Sequence, residues 1–141
     1  METANGFARS VKKYMKKLKF AKPKKVSISY LKKKLLDLVK AEVRRRDDYT
    51  CQHCLKYVTG SGCHVSHVIP VSHGNRLMFE PLNMKVLCFH CHIDWWHKNP
   101  LEASKWFKET FSERYNYLQS HKNEKVHWKE ADYKEMIENY K

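Results

Sequence analysis

Long apolar runs are absent from this 141-residue sequence. Stretches such as Leu35-Leu36-Asp37-Leu38-Val39 fall far short of the ~20 residues a helix needs to cross a bilayer. The opening METANGFARSVKKYMKK has no apolar stretch behind its charges and no small-residue cleavage site, so a soluble, unexported, cytoplasmic protein is expected. Glycine and proline number only four each, and Gly60, Gly62, Pro70, Gly74 and Pro81 crowd into one central region. Internal repeats and low-complexity linkers are missing, and the length suits one domain with extensions rather than two domains. Acidic residues are nearly missing from the first third. Residues 1–46 hold sixteen Lys and Arg against Glu2, Asp37 and Glu42, whereas the remainder balances twelve against twelve. The whole net charge of +13 therefore sits at one end, and a block that basic attracts a polyanion by counterion release. Nucleic acid is the expected partner; a membrane surface is not, because the basic segments lack a strong Trp, Phe and Leu face.

Phe7, Val11, Tyr14, Met15 and Leu18 recur at helical spacing and predict a basic amphipathic helix over 7–20. The segment AKPKKVSIS has a proline and no helical period, and reads as a linker. Leu31, Leu35, Leu38, Val39 and Val43 predict a second helix over 30–46, with Ser29 as N-cap. Its polar face, with Lys32, Lys33, Lys34, Lys40, Arg44, Arg45 and Arg46, either lies against phosphates or is simply solvated. Short β-type runs, HVSHVI and MKVL, follow among the turn residues. Asn99-Pro100 then starts a packed aromatic helix, and a last helix or docking tail is expected over 129–140.

Five cysteines is an odd count, and four of them form Cys51-x2-Cys54 and Cys88-x2-Cys91. In a chain without an export signal such pairs favour thiolate metal ligands over disulfides. A four-sulfur shell suits a structural Zn²⁺, with no open position for chemistry. Cys63 is left over as a buried free thiol, and His53 and His90 are expected to be exposed. Between the pairs stand groups that phosphodiester hydrolysis needs. His67 is a candidate base, because an imidazole is largely neutral near pH 7; Asn83 in the next strand could orient it; His92, just after the last cysteine, could bind a second metal ion.

The order Cys51-x2-Cys54, Ser66-His67-Val68-Ile69-Pro70, Gly74, Asn83-Met84-Lys85-Val86-Leu87-Cys88 and Cys91-His92 resembles the HNH, or His-Me finger, endonucleases. The resemblance spans about residues 30–118 and is firmest from Cys51 to His97. Within that group, SHVIP, LCFHCH, the following Asn-Pro and the preceding lysine-rich helix are most similar to phage recombination nucleases of the NinG or Rap type. The resemblance implies an α+β fold with a ββα-metal, treble-clef-like core, buttressed by a structural four-cysteine zinc site and flanked by N- and C-terminal helices. It divides the chain into a basic arm and linker (1–29), an endonuclease domain (30–118) and a C-terminal extension (119–141). It makes His67 the general base, Asn83 its orienting residue, His92 a ligand of a catalytic Mg²⁺ or Mn²⁺, and Gly74 the turn between the strands. Lys32, Lys33, Lys40, Arg44, Arg45 and Arg46 would hold a DNA backbone, double-stranded, branched or nicked, and the products would carry a 5′-phosphate and a 3′-hydroxyl. One position departs from the pattern. Ser66 stands where many such enzymes carry Asp or His as a metal ligand, and a neutral hydroxyl binds Mg²⁺ more weakly; His64, His73 and His97 are the nearby substitutes. Two other readings remain open: a noncatalytic treble-clef module that binds nucleic acid, and a structural partner in a larger complex.

Overall fold

The structure, a computed structural model, describes residues 4–17, 24–72 and 74–141. The expected Met15 face of the first helix, Leu18, Phe20 and the first three residues of the linker (21–23) lie outside what it describes, as does His73. Helix α1 spans Ala4–Lys17, and residues 6–14 of it are exposed. Helix α2 spans Ile28–Arg46, starting earlier than expected because Ser27, not Ser29, caps it: the Ser27 Oγ accepts from the Tyr30 N–H at 3.2 Å. Leu31, Leu35, Val39 and Val43 form its buried stripe, the i, i+4 recurrence of a core-facing helix. Among the described residues no helix is long and apolar enough to cross a membrane.

The end of α2 is tied to the sheet by one ion pair. Arg46 donates to both carboxylate oxygens of Asp47, at 2.8 and 3.1 Å, and to the carbonyls of Pro81 and Met84, each at 2.7 Å. The buried Asp47 carboxylate also accepts from the Val86 N–H at 2.9 Å. A chain reversal follows, with Asp48 and Tyr49 in the left-handed region (φ 52° and 49°). It leads into the first cysteine pair, where Leu55 (φ 64°) lets the knuckle close by a Leu55 N–H to Cys51 carbonyl bond of 2.8 Å.

Strands β1 (His64–His67) and β2 (Met84–Leu87) pair antiparallel, with Ser66 opposite Lys85 and His67 opposite Met84. All four residues of β2 are buried, since the Gln52 N–H reaches its Val86 carbonyl at 3.0 Å while α2 packs beside it. A seven-residue π-helix, His90–Trp96, comes next, then α3 (Pro100–Thr110), α4 (Ser112–His121) and α5 (Glu130–Glu138). The architecture is thus mixed, helices around a small two-stranded sheet.

Two expectations change here. The boundary at 118/119 falls inside α4, and residues 119–141 are not a mere extension: Tyr133 and Ile137 of α5 join Leu35, Val39 and Val86 in the main core. Gly74 lies in the connection between the strands, but its role is close packing: a Cβ there would sit 2.6 Å from the Glu124 carbonyl oxygen and 2.8 Å from that of Lys122. The connection is fastened to the same segment by Asn75, whose amide donates to the Val126 carbonyl and accepts from the Val126 N–H, both at 2.6 Å.

Candidate functional site

Cys51, Cys54, Cys88 and Cys91 converge, with all four sulfurs within 4.8 Å of one another. A tetrahedral ion with bonds of about 2.3 Å separates its sulfurs by about 3.8 Å, and the Cys54 and Cys88 sulfurs are 3.8 Å apart. All four are free thiols, as is the buried Cys63. The donor set and its geometry fit a structural metal such as zinc. Burial raises the Cys51 thiol pKa, but backbone N–H groups of Cys54, Cys88 and His53 outweigh it, so the net shift is downward. Cys91 is pushed up, by burial first and then by the Cys88 and Cys51 thiols. Four crowded thiols resist ionising together, and a divalent ion reverses that preference. His53 is not exposed as expected: its ring stacks on Trp95 at 3.6 Å and its Nδ1 lies 3.3 Å from the Cys91 sulfur, the place of a second-layer donor to a thiolate. His90 is exposed and pairs with Asp94.

His67 ends β1 with its Nε2 3.2 Å from the Met78 carbonyl. A carbonyl only accepts, so Nε2 carries the proton and Nδ1 keeps a free lone pair. Burial lowers the pKa of this imidazole; Lys40 and Lys85 lower it further, against the Met78 bond, which raises it. Asn83 makes no hydrogen bond to the His67 ring among the described residues, contrary to expectation. Fully buried, it accepts from the Ile69 N–H at 2.8 Å and donates to the carbonyls of Ile69 and Leu77 at 3.0 and 3.2 Å. It therefore fixes the loop that leaves β1, and through that loop the reach of His67.

His92 lies on the π-helix, whose wider winding brings residues five apart onto one face: the His97 N–H bonds to the His92 carbonyl at 3.2 Å, and the two Nε2 atoms are 3.0 Å apart. On its other side, His92 Nδ1 lies 2.8 Å from Nδ1 of His64, whose Nε2 meets the Ser61 carbonyl at 3.0 Å. With all three rings neutral, the Ser61 carbonyl fixes every direction: His64 donates to it, His92 donates to His64, and His97 donates to His92. The His92 pKa is lowered to about 4, by burial first and then by His97, His64 and Lys85. The 2.8 Å between the two Nδ1 atoms also matches the roughly 2.9 Å between neighbouring ligands at right angles on an ion with bonds of about 2.0–2.1 Å. His64 and His92 could thus share a divalent ion that accepts nitrogen. Ser66 is buried, and its hydroxyl turns to the His67 carbonyl at 3.3 Å. Among the described residues the four cysteines form the one convergent group of three or more Cys, His, Asp and Glu side chains, so an ion at His64 and His92 would complete its shell with water and substrate oxygens.

Sequence reasoning passed over Lys85. It is completely buried, its Nζ has no hydrogen-bond partner among the described residues, and it sits 3.2 Å from the Trp96 ring centroid and 5.9 Å from that of Phe107. Burial, then the Arg114 charge, holds its pKa well below the ordinary lysine value. The one available signal is a lysine inside an apolar four-residue strand. The basic residues of α2 separate into two kinds. Lys32 and Arg45 are exposed and Lys40 and Arg44 half-exposed; Lys33 pairs with Asp37 and Arg45 with Glu42. Arg46 is committed to the fold through the four bonds above, which leaves its guanidinium less free than the Lys32 or Lys40 ammonium to meet a DNA backbone.

Against this geometry, residues 51–94 match the family model described as HNH endonuclease. The match opens at the first zinc-type cysteine, takes in both strands and closes inside the π-helix, before His97 and α3. Neither curated proteins nor solved structures match the chain. The HNH endonuclease model, over residues 51–94, is the family to which this domain is similar.

Proposed function

We propose that this protein is a metal-dependent endonuclease that hydrolyses DNA phosphodiester bonds, built on a ββα-metal finger of β1, β2 and the π-helix. One observation carries the reading: within the matched segment, the Met78 carbonyl holds the His67 ring so that its Nδ1 is a free proton acceptor. A general base must be neutral, oriented and within reach of its water. Burial keeps the ring neutral, and Asn83 secures the loop that sets its position.

In the proposed reaction His67 Nδ1 takes a proton from a water molecule as its oxygen attacks phosphorus. The bond from phosphorus to the 3′ oxygen breaks, its electron pair stays on that oxygen, and a solvent proton completes the 3′-hydroxyl, leaving a 5′-phosphate on the other strand end. His92 and His64 would hold a divalent ion, which would supply charge neutralisation at the phosphoryl oxygens. Imidazole donors in the absence of a carboxylate favour Mn²⁺ over Mg²⁺, which prefers hard oxygen ligands. Lys32, Lys40, Arg44 and Arg45 contribute backbone contacts that position without specifying sequence. Branched or nicked DNA, as in phage recombination, is the substrate suggested by the motif resemblance.

A second reading, a zinc-stabilised module that binds nucleic acid without cutting, is favoured by Ser66 in place of an acid, with no carboxylate opposite it on β2, where Lys85 stands. Plasmid nicking with added Mn²⁺ separates the two. His67→Ala is expected to lower the rate about 10²–10⁴-fold with zinc content and DNA affinity retained, and the wild-type acid limb should fall below the ordinary histidine value of ~6.5. Nicking by zinc-loaded His67→Ala at the wild-type rate would remove His67 as the base.

A further inference from the structure

A cavity of about 320 Å³ opens directly beside His67. One side is the loop after β1 with Ile69 and Pro70, another the end of the π-helix with Trp96, and the rest α3 and α4 with Phe107, Tyr115 and Gln119. Among the described residues no Lys, Arg, Asp or Glu lines it. Its walls are firm: Phe107 and Leu118 are core residues with 1% and 0% exposure, and Pro70 and Pro100 have restricted backbones. A second feature holds the Trp96 wall. The fully buried Lys85 Nζ lies 3.2 Å from the Trp96 ring centroid, a packing contact that limits the room the indole has to move.

The contents of such a cavity follow from its chemistry and place. A phosphate is excluded because no cation lines it, and an unpaired buried anion is strongly disfavoured. The net charge of +13 selects a polyanionic partner, and the uncharged planar part of a polyanionic nucleic acid is the base. The half-buried rings of Trp96 and Tyr115 suit stacking, while the Gln119 amide and Ser104 hydroxyl offer donors and acceptors to a base edge. Ligand cavities run from about 300 to 1,000 Å³, so this one takes a single ring system rather than a dinucleotide. A paired base cannot enter it without leaving its stack.

We propose that this cavity is a binding site for one unpaired nucleobase adjacent to the phosphodiester at His67, which makes DNA with an unpaired nucleotide at the cleavage position the substrate class. The proposal rests on the endonuclease reading for the role of His67, and it deepens that reading by naming what is cut.

The test is a binding measurement on full-length, zinc-loaded protein without added divalent ion, so that chemistry plays no part. Three duplexes of one sequence are compared by fluorescence anisotropy: fully paired, with a single bulged 2-aminopurine, and with an abasic nucleotide as the bulge. The abasic form separates base capture from the flexibility that any bulge adds. The wild type should bind the 2-aminopurine bulge about tenfold more tightly than either other duplex, the equivalent of ~1.4 kcal/mol and within the range of stacking on aromatic side chains. Its fluorescence should drop as the base stacks on Trp96. Ser104→Trp, at an exposed position of α3, fills the cavity without disturbing the core and should bring the affinity ratio to about one; Gln119→Ala should lower it. Equal affinity for the base-bearing and abasic bulges, or an unchanged ratio in folded Ser104→Trp, overturns the base site. Loss of nicking with the ratio intact would instead sink the nuclease reading and leave the base site standing.

Discussion

Replacing Lys85 with Met tests the least expected feature of the core. The change keeps the length and flexibility of the side chain and removes a buried nitrogen that has no hydrogen-bond partner among the described residues. Leaving such a group buried costs about 1–3 kcal/mol. The Trp96 ring at 3.2 Å offsets this by up to about 2 kcal/mol for a desolvated cation–π contact. Arg114 adds repulsion. The thioether retains favourable contact with the indole, so Lys85→Met should be more stable than wild type by roughly 1 kcal/mol near neutral pH. The pH dependence has a definite sign. Burial depresses the folded-state pKa, so between that value and the unfolded value of about 10.4 the unfolded chain binds more protons and wild-type stability rises with pH. The advantage of Lys85→Met should therefore shrink as pH climbs through that window. Urea midpoints on zinc-loaded protein at several pH values read both effects. A mutant less stable than wild type, with zinc unchanged, would show that the cation on the indole is a net stabiliser and refute the reasoning.

Three further changes probe the frame around the site. Cys88→Ser should lose zinc and stability together, because structural metal binding is coupled to folding; elemental analysis and thermal melting check both, and full zinc content in a stable mutant removes the four-cysteine site. Arg46→Ala strands the buried Asp47 carboxylate, keeping only the Val86 N–H, and should cost about 3–5 kcal/mol in denaturation while leaving the salt slope of DNA binding alone, whereas Lys32→Ala should lower that slope with little effect on stability. Leu55→Gly should stabilise by about 0.5–1 kcal/mol, because relief of a left-handed residue exceeds the added chain entropy and the side chain, 74% exposed, loses little packing; a lower melting temperature would contradict this.

Sequence alone determined the features that depend on local spacing. The CxxC pairs announce their sulfur cluster because a two-residue spacer lets one turn present both thiolates. The buried stripe of α2 follows from apolar recurrence at helical period, and the two strands from short β-branched runs between turn residues. Tertiary structure decided what depends on partners distant in the chain. Arg46 reads as one more surface cation until Pro81 and Met84 are brought to it. Asn83 cannot be placed on Ile69 rather than His67 without the fold of the connection. The atom that fixes the His67 ring is a backbone carbonyl, which every residue carries and no sequence distinguishes. The contact of His92 with His97 needs the π-winding of their helix, since α-helical spacing puts residues five apart on different faces. Lys85 is charged by composition and core by position: β2 is covered by α2 on one hand and the Trp96 and Phe107 rings on the other, so packing around the strand overrides the preference of its side chain for water.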